Sequence, residues 1–353
     1  MADYAASGAL SDWERWFVAG VHPMILLHMA EERGLDPADL LRRAGIETPQ
    51  REIAASGLTL GPHMRLVTLV ADELGDAAVG VEMGWRLPPT ALGTLGYALI
   101  SSPTLRDALE TLQRYWHLVG QGMVLTADVH DAQVHIELRT SLFISERARR
   151  NALELAITSI ARGVTALAPQ VVSTADTEIW FDFPAPPHAD LVRERLGEVR
   201  YDMPVTKATM PAQHLDAPLV MANPLGFRSA VEWCAREEKE RGLASLQLVV
   251  RVQSELTLGP SGYPALTVLA RRSHMTPRTL RRHLEREGES YSAMLEAARR
   301  RDALRLLDNP ALAVRDIAEM LGYENPANFT RAFKRWTGTT PSAHRAHRRH
   351  GHV

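Results

Sequence analysis

The sequence predicts an α+β domain with helices and a small antiparallel sheet, followed by an all-α domain built from two related helical units. Three observations carry this. Helical and strand-like periodicities alternate through the first part of the chain, the C-terminal part contains an imperfect internal repeat, and charge divides unevenly between the two. At 353 residues the chain exceeds one ordinary core of roughly 100–200 residues, so two domains are expected. A net charge of -2 conceals the asymmetry: residues 261–353 hold 17 Lys and Arg against 9 Asp and Glu, leaving 23 against 33 in residues 1–260. A basic half joined to an acidic one points to a part that meets nucleic acid and a part that does not.

The elements follow in order. Apolar residues recur at helical spacing over Leu26 to Glu32, Asp36 to Ala44 and Gly61 to Leu74; the second opens with the helix-starting pair Asp36-Pro37. Helices are predicted over Ala91 to Ser101 and Thr104 to Val119, separated at Ser102-Pro103. Met123 to Val129 and Gln133 to Arg139 alternate apolar and polar residues around His130-Asp131, which reads as a hairpin. A long helix over Ser145 to Leu167, a strand near Glu178 to Phe183, a short helix over His188 to Leu196 and a strand near Arg200 to Thr206 complete the α+β part. A charged run at residues 236–242 and the break Leu258-Gly259-Pro260-Ser261-Gly262 flank a helix over Leu243 to Leu256. The expected division is residues 1–235, a helix-containing linker 236–262, and residues 263–353.

The C-terminal repeat has the form of a helix-turn-helix, whose second helix enters the major groove of DNA. The stretch from Leu269 to Leu280, with Leu284 and Gly288, returns about 48–50 residues later as Ile317 to Tyr323, then Pro326 to Phe329, Phe333 and Gly338, with one extra residue in the second turn. Leu280 and Leu284 at i, i+4 pack inward, which turns Arg278, Thr279, Arg281 and Arg282 outward. In the second copy Phe329, Phe333 and Trp336 face inward and leave Asn325, Asn328, Arg331 and Lys334 exposed. Arg pairs with guanine and Asn with adenine through two hydrogen bonds each, whereas Lys mainly holds phosphate. Between the copies Ser290 to Leu307 predicts a helix of about 27 Å with Arg299, Arg300 and Arg301 on a basic side. It would hold two recognition helices near the 34 Å repeat of the duplex.

Residues 263–346 resemble the DNA-binding domain of the AraC/XylS family of bacterial transcription regulators. The run from Gly322 to Pro341, Gly-Tyr-Glu-Asn-Pro-Ala-Asn-Phe-Thr-Arg-Ala-Phe-Lys-Arg-Trp-Thr-Gly-Thr-Thr-Pro, is similar to the family signature at nearly every position. One position departs: the family usually has glycine in the first turn, where this chain has His274, and some strain is expected there. Residues from about Pro23 to Pro224 resemble, more loosely, the arabinose-binding-like N-terminal domain of one subgroup, which includes ornithine-utilisation regulators. Leu92 to Tyr97, Thr104 to Leu109 with Arg114-Tyr115, and Leu215 to Leu219 carry that similarity. The resemblance implies an α+β N-terminal sensor domain followed by an all-α double helix-turn-helix DNA-binding domain. It also implies a small-molecule effector, double-stranded DNA and RNA polymerase as partners, a possible homodimer, and activation of transcription by family habit.

Tyr97, Tyr115, Trp116 and His117 cluster before the hairpin, with Met83 and Trp85 ahead of them, and are the candidate effector-binding residues; the simpler reading is that this stripe is core. His117 could serve as an axial haem ligand, but no motif for gripping propionates accompanies it. His344, His347, His350 and His352 alternate with Arg345, Arg348 and Arg349 and read as a basic tail rather than a metal site. No cofactor is expected.

A single cysteine, Cys234, excludes an internal disulfide framework and a cysteine-built zinc site. Its apolar-acidic setting reads as a packed thiol rather than the nucleophile that a fused DNA-repair enzyme would need. No phosphate-cradling glycine loop, metalloprotease pair or nucleophile elbow is present, so an enzyme is not expected. The sizeable acidic N-terminal part argues against a purely architectural DNA binder, the alternative use for such a part being dimerisation alone. No apolar run approaches the roughly 18–20 residues that span a bilayer, and no secretory signal is visible, so a cytoplasmic location is expected.

Overall fold

The computed structural model describes residues 16–75, 78–120, 122–140, 144–169, 177–241, 243–259, 262–307, 309 and 312–350. The chain divides into two compact units, one ending at Ala244 and the other beginning at Ser245.

The first unit starts with strand β1 (Phe17–Val18), helices α1 (Val21–Glu31), α2 (Pro37–Arg43) and α3 (Gln50–Ser56), strand β2 (Leu58–Thr59) paired antiparallel with β1, and helices α4 (Leu60–Glu73) and α5 (Val79–Arg86). Asp36 caps α2 as its position before Pro37 predicts, its Oδ1 accepting from the Ala38 amide at 3.0 Å. Leu26, Leu66, Val70 and Met83 meet in the core of this lobe. Helices α6 (Gly93–Ser101) and α7 (Leu105–Tyr115) follow; α7 opens with a capping box between Thr104 and Asp107 and closes in a 3-10 turn, Trp116–Leu118.

Strands β3 (Met123–His130) and β4 (Gln133–Thr140) form the expected hairpin. Asp131 and Ala132, both at positive φ (52° and 59°), make the two-residue turn, the backbone that matches the twist of the flanking strands. The long helix α8 (Glu146–Leu167), strand β5 (Glu178–Trp180), helix α9 (Ala189–Leu196), strands β6 (Glu198–Arg200) and β7 (Thr206–Pro211) and helix α10 (Pro224–Glu240) complete the unit. The sheet runs β3-β4-β7-β5-β6, antiparallel except for the parallel pair β5–β6.

The sequence suggested one strand near residues 200–206. There are two, broken where Asp202 turns left-handed (φ 56°) and Pro204 lacks an amide donor; β6 ends the sheet edge and β7 enters its middle. Helices α3, α5 and α10 were not anticipated, and α10 runs through residues 236–240. The approach of α5 to α8 depends on glycine: a Cβ on Gly80 would stand 2.3 Å from the Asn151 carbonyl oxygen, and one on Gly84 2.5 Å from that of Leu155.

In the second unit, α11 (Leu243–Glu255), α12 (Leu266–Arg272) and α13 (Pro277–Arg286) precede α14 (Tyr291–Leu307), α15 (Val314–Met320), α16 (Pro326–Thr337) and α17 (Pro341–His350). Leu269, Ala270, Leu280, Leu284, Met294 and Ala298 are fully or almost fully buried around the first repeat. Ala303, Leu307, Ile317, Leu321, Phe329 and Phe333 form the core of the second. Each side chain of leucine or phenylalanine size removed from water in this way contributes roughly 1.5–3 kcal/mol.

Candidate nucleic-acid interface and effector cavity

Each repeat builds a helix-turn-helix by the same local rules. Helix α12 ends as the His274 amide donates to Arg271 O (3.0 Å) and the Met275 amide to Ala270 O (2.8 Å). Helix α15 ends identically, Gly322 donating to Glu319 O (2.9 Å) and Tyr323 to Ala318 O (2.9 Å). His274 adopts the left-handed backbone, at φ 53°, that Gly322 adopts at φ 79°. Thr276-Pro277 and Asn325-Pro326 then open α13 and α16 as cap and first residue.

The amphipathic split places the predicted faces. Leu280, Leu284, Phe329 and Phe333 are buried and Trp336 half-buried, while Arg278, Arg281, Arg282, Asn325, Asn328, Arg331 and Lys334 are exposed. Among the described residues no carboxylate lies within ion-pair distance of Arg278, Arg281, Arg282 or Lys334, so these cations face solvent uncompensated. Several of the predicted residues also bond within their own helix or its cap. The half-buried Thr279 shares a 2.8 Å hydroxyl hydrogen bond with the cap Thr276, and Asn325 Oδ1 accepts from the Ala327 amide at 2.8 Å. Asn328 Oδ1 accepts from the Arg331 guanidinium.

The basic side expected of α14 is redirected. Arg299 Nε donates to Leu321 O at 3.0 Å and its guanidinium lies over the Tyr323 ring, 4.9 Å from the centroid. Arg301 donates to Leu256 O (2.9 Å) and to the buried Asp302 (3.0 Å), which also accepts from the Tyr263 hydroxyl (2.8 Å). Glu296 accepts from Trp336 Nε1 at 2.7 Å and from Arg335, and these donors hold its carboxyl below the usual range. Helix α11 serves the first repeat in the same manner: Arg251 donates to Arg272 O at 3.2 Å, and Arg272 pairs with Glu255. Of the histidine tail, His344 packs edge-on against Phe333 at 5.5 Å; the side chains of His347 and His350, and all of His352, lie outside the described residues.

The first unit contains a cavity of about 280 Å³ that is partly open to solvent. Helices α1, α4, α5, α8 and the end of α10 wall it, through residues that include His22, His63, Met64, Met83, Asn151, Leu155, Glu237 and Arg241. Of the four aromatic residues singled out from the sequence, Trp116 lines it. Tyr115 is buried in the core, 2% exposed, and Tyr97 stacks on Trp233 with centroids 5.9 Å apart. His117 pairs with Glu238 at 2.8 Å, yet burial still lowers its imidazole below the ordinary value. Met83 lines the cavity, whereas Trp85 lies between Arg162 and Arg195. His22, His63 and Asn151 escaped the sequence reading; the one hint was His63 on the apolar stripe of Leu66, Val67 and Val70. Cys234 is fully buried and burial pushes its thiol up, opposite to a nucleophile's need. No helix among the described residues is long and apolar enough to cross a membrane.

Comparison with known proteins agrees with both halves. Residues 34–219 match the family described as the arabinose-binding domain of AraC transcription regulators, N-terminal, and residues 269–347 match a helix-turn-helix domain. The chain is 32% identical to the ornithine utilization regulator of Pseudomonas aeruginosa, covering 91% of this chain and 94% of that one. It is 27% identical to the transcriptional regulator VirS of Mycobacterium tuberculosis over 90% of this chain and 93% of that one. Among solved structures, the transcriptional regulator CdpR of P. aeruginosa aligns with a TM-score of 0.43 at 21% identity, covering 88% and 96% of the two chains.

Proposed function

The chain belongs to the AraC family of transcription regulators, and from that premise we propose that it activates transcription at a bipartite DNA site under the control of a small molecule held in its N-terminal unit. In this reading Arg278, Arg281 and Arg282 act in one major groove, with Thr279 at the mouth of that helix. Asn325, Asn328, Arg331 and Lys334 act in the next. Residues 1–235 sense, together with the end of α10, whose Glu237 and Arg241 complete the cavity, and residues 263–353 bind DNA and present a surface to RNA polymerase. The observation that carries the reading is the pair of α13 and α16, opened by the same cap chemistry and presenting Arg278, Arg281, Arg282 and Lys334, which no carboxylate among the described residues neutralises. Exposed cations of this kind match the phosphate-lined duplex, whose counterions they displace.

Selection of duplex fragments from a random library at physiological salt tests it. The expected outcome is a site whose two half-motifs lie about one helical turn apart, with affinity falling steeply as salt rises. Weak, sequence-blind binding both with and without cell-extracted small molecules would sink the bipartite reading.

A further inference from the structure

The cavity of the first unit has a chemistry that narrows what can enter it. Its walls are mainly aliphatic and thioether: Leu60, Met64, Val67, Met83, Leu118 and Leu155. The imidazoles that reach it, His22 and His63, sit edge to face with centroids 6.4 Å apart. Burial lowers His22 to about 4 and His63 to about 3, so both are uncharged at neutral pH. The charged pair at the cavity, Glu237 and Arg241, is closed on itself at 2.9 Å. Thr94 donates to Glu237, Arg241 donates to Leu118 O at 3.0 Å, and the Arg241 guanidinium lies 5.6 Å from the centroid of Phe17. The two charges neutralise each other, so the cavity wall carries no net charge from them. A second cavity of about 60 Å³ shares Leu87, Leu92, Trp116 and Ser159 with the first, and its remaining walls are almost wholly apolar.

We propose that this cavity takes an uncharged, largely apolar small molecule with few polar groups, of bicyclic-aromatic or medium-chain aliphatic size, and that amino acids and sugars are excluded from it. The inference rests on the reading that the N-terminal unit receives an effector, and it deepens that reading by naming the effector's class. An amino acid brings two charges into a space whose own charges are already paired, and burying an unpaired charge is strongly unfavourable. A sugar brings a hydroxyl on nearly every carbon, and the polar side chains of the wall, His22, His63, Asn151 and Ser159 beside the mutually paired Glu237 and Arg241, are too few to satisfy them all. An apolar molecule needs only volume: an apolar cavity of about 150 Å³ holds one benzene, so this space accommodates roughly twice that. The name of the matching family and that of the ornithine relative would both have suggested polar ligands.

The test uses the full chain and the uncharged fluorophore N-phenyl-1-naphthylamine, which brightens in apolar surroundings. Saturable binding of one equivalent is expected, displaced by 1-decanol or naphthalene and undisturbed by L-ornithine or L-arabinose. Ala152 is half-buried on the cavity wall, so A152L, filling the space, should weaken the probe by about tenfold or more. Its thermal unfolding should match the parent, and L155F provides a second filling variant if A152L does not fold. No saturable binding, binding unaltered by both variants, or displacement by ornithine or arabinose overturns the proposal. Probe capture with operator affinity indifferent to every displacing molecule upholds the cavity's chemistry and overturns instead the regulatory reading beneath it.

Discussion

The two helix-turn-helix repeats reach one geometry with different residues. Both turns close with the same pair of amide-to-carbonyl hydrogen bonds, yet one places histidine and the other glycine in the left-handed position. The first repeat packs on aliphatic side chains, Leu280, Leu284 and Met294, whereas the second packs on Phe329 and Phe333 with Tyr323 and Trp336 against them. Each is braced by an arginine from the helix before it. Arg251 reaches the first from a side chain 47% exposed, and Arg299 reaches the second while lying over Tyr323. The comparison teaches that hydrogen bonds and caps set the turn, that glycine only lowers its cost, and that the repeat which lacks the glycine also has the weaker brace.

Substitutions can break this comparison, the largest effect coming from the cores. Phe329→Ala should cost about 3–5 kcal/mol and Leu280→Ala about 2–5 kcal/mol, with the aromatic core losing more. Urea denaturation of the full chain, followed by hydrogen exchange at the core amides of each repeat, reads both. At the DNA face, Arg282→Ala and Asn328→Ala should each relax sequence discrimination by about 1–3 kcal/mol, whereas Lys334→Ala should weaken all sequences alike and lower the salt slope by about one. Competition binding with single-base variants of the selected site separates the two classes; unchanged discrimination in both variants would mean the faces are misassigned.

Exchanging the turn residues sharpens the comparison further. Gly322→His should cost about 1–2 kcal/mol, because a left-handed backbone is costly for a residue with a Cβ and that Cβ would meet Arg299 Nη2 at 3.2 Å. His274→Gly should gain less than about 1 kcal/mol, since glycine's extra freedom in the unfolded chain offsets part of the relief. Equal and opposite changes in thermal unfolding would contradict this asymmetry. The smallest effects belong to the braces: Arg299→Ala should lose about 1–2 kcal/mol and Arg251→Ala about half a kcal/mol or less, the latter being solvent-screened. Hydrogen exchange at the Tyr323 and Met275 amides would report each loss locally.

Much of the fold was legible because its signals are local. Asp36-Pro37, Thr104 with Asp107, Thr276-Pro277 and Asn325-Pro326 announce helix starts, and the Leu280/Leu284 and Phe329/Phe333 pairs assign faces. Helix α10 was hidden because it buries only Ala230 and Cys234 and so shows no apolar stripe. Arg299 and Arg301 read as part of a basic side of α14 because the carbonyls that hold them, Leu321 and Leu256, lie 22 and 45 residues away. The cavity was illegible for the same reason. His22, His63, Asn151 and Glu237 come from four separate helices, and nothing in the spacing of one segment reports that the others converge on it.

Helix α14 touches the chain ahead of each recognition helix: Arg301 donates to Leu256 O just past α11, the Tyr291 hydroxyl to Pro264 O just before α12, and Arg299 to Leu321 O at the end of α15. It therefore acts as a torsion bar. In the bipartite reading proposed above, the phase between half-sites is then set by the packing of this helix rather than by a tether. Adding about five base pairs between the half-sites, half a turn of duplex, would carry the second one to the far side of the helix and out of step with α16.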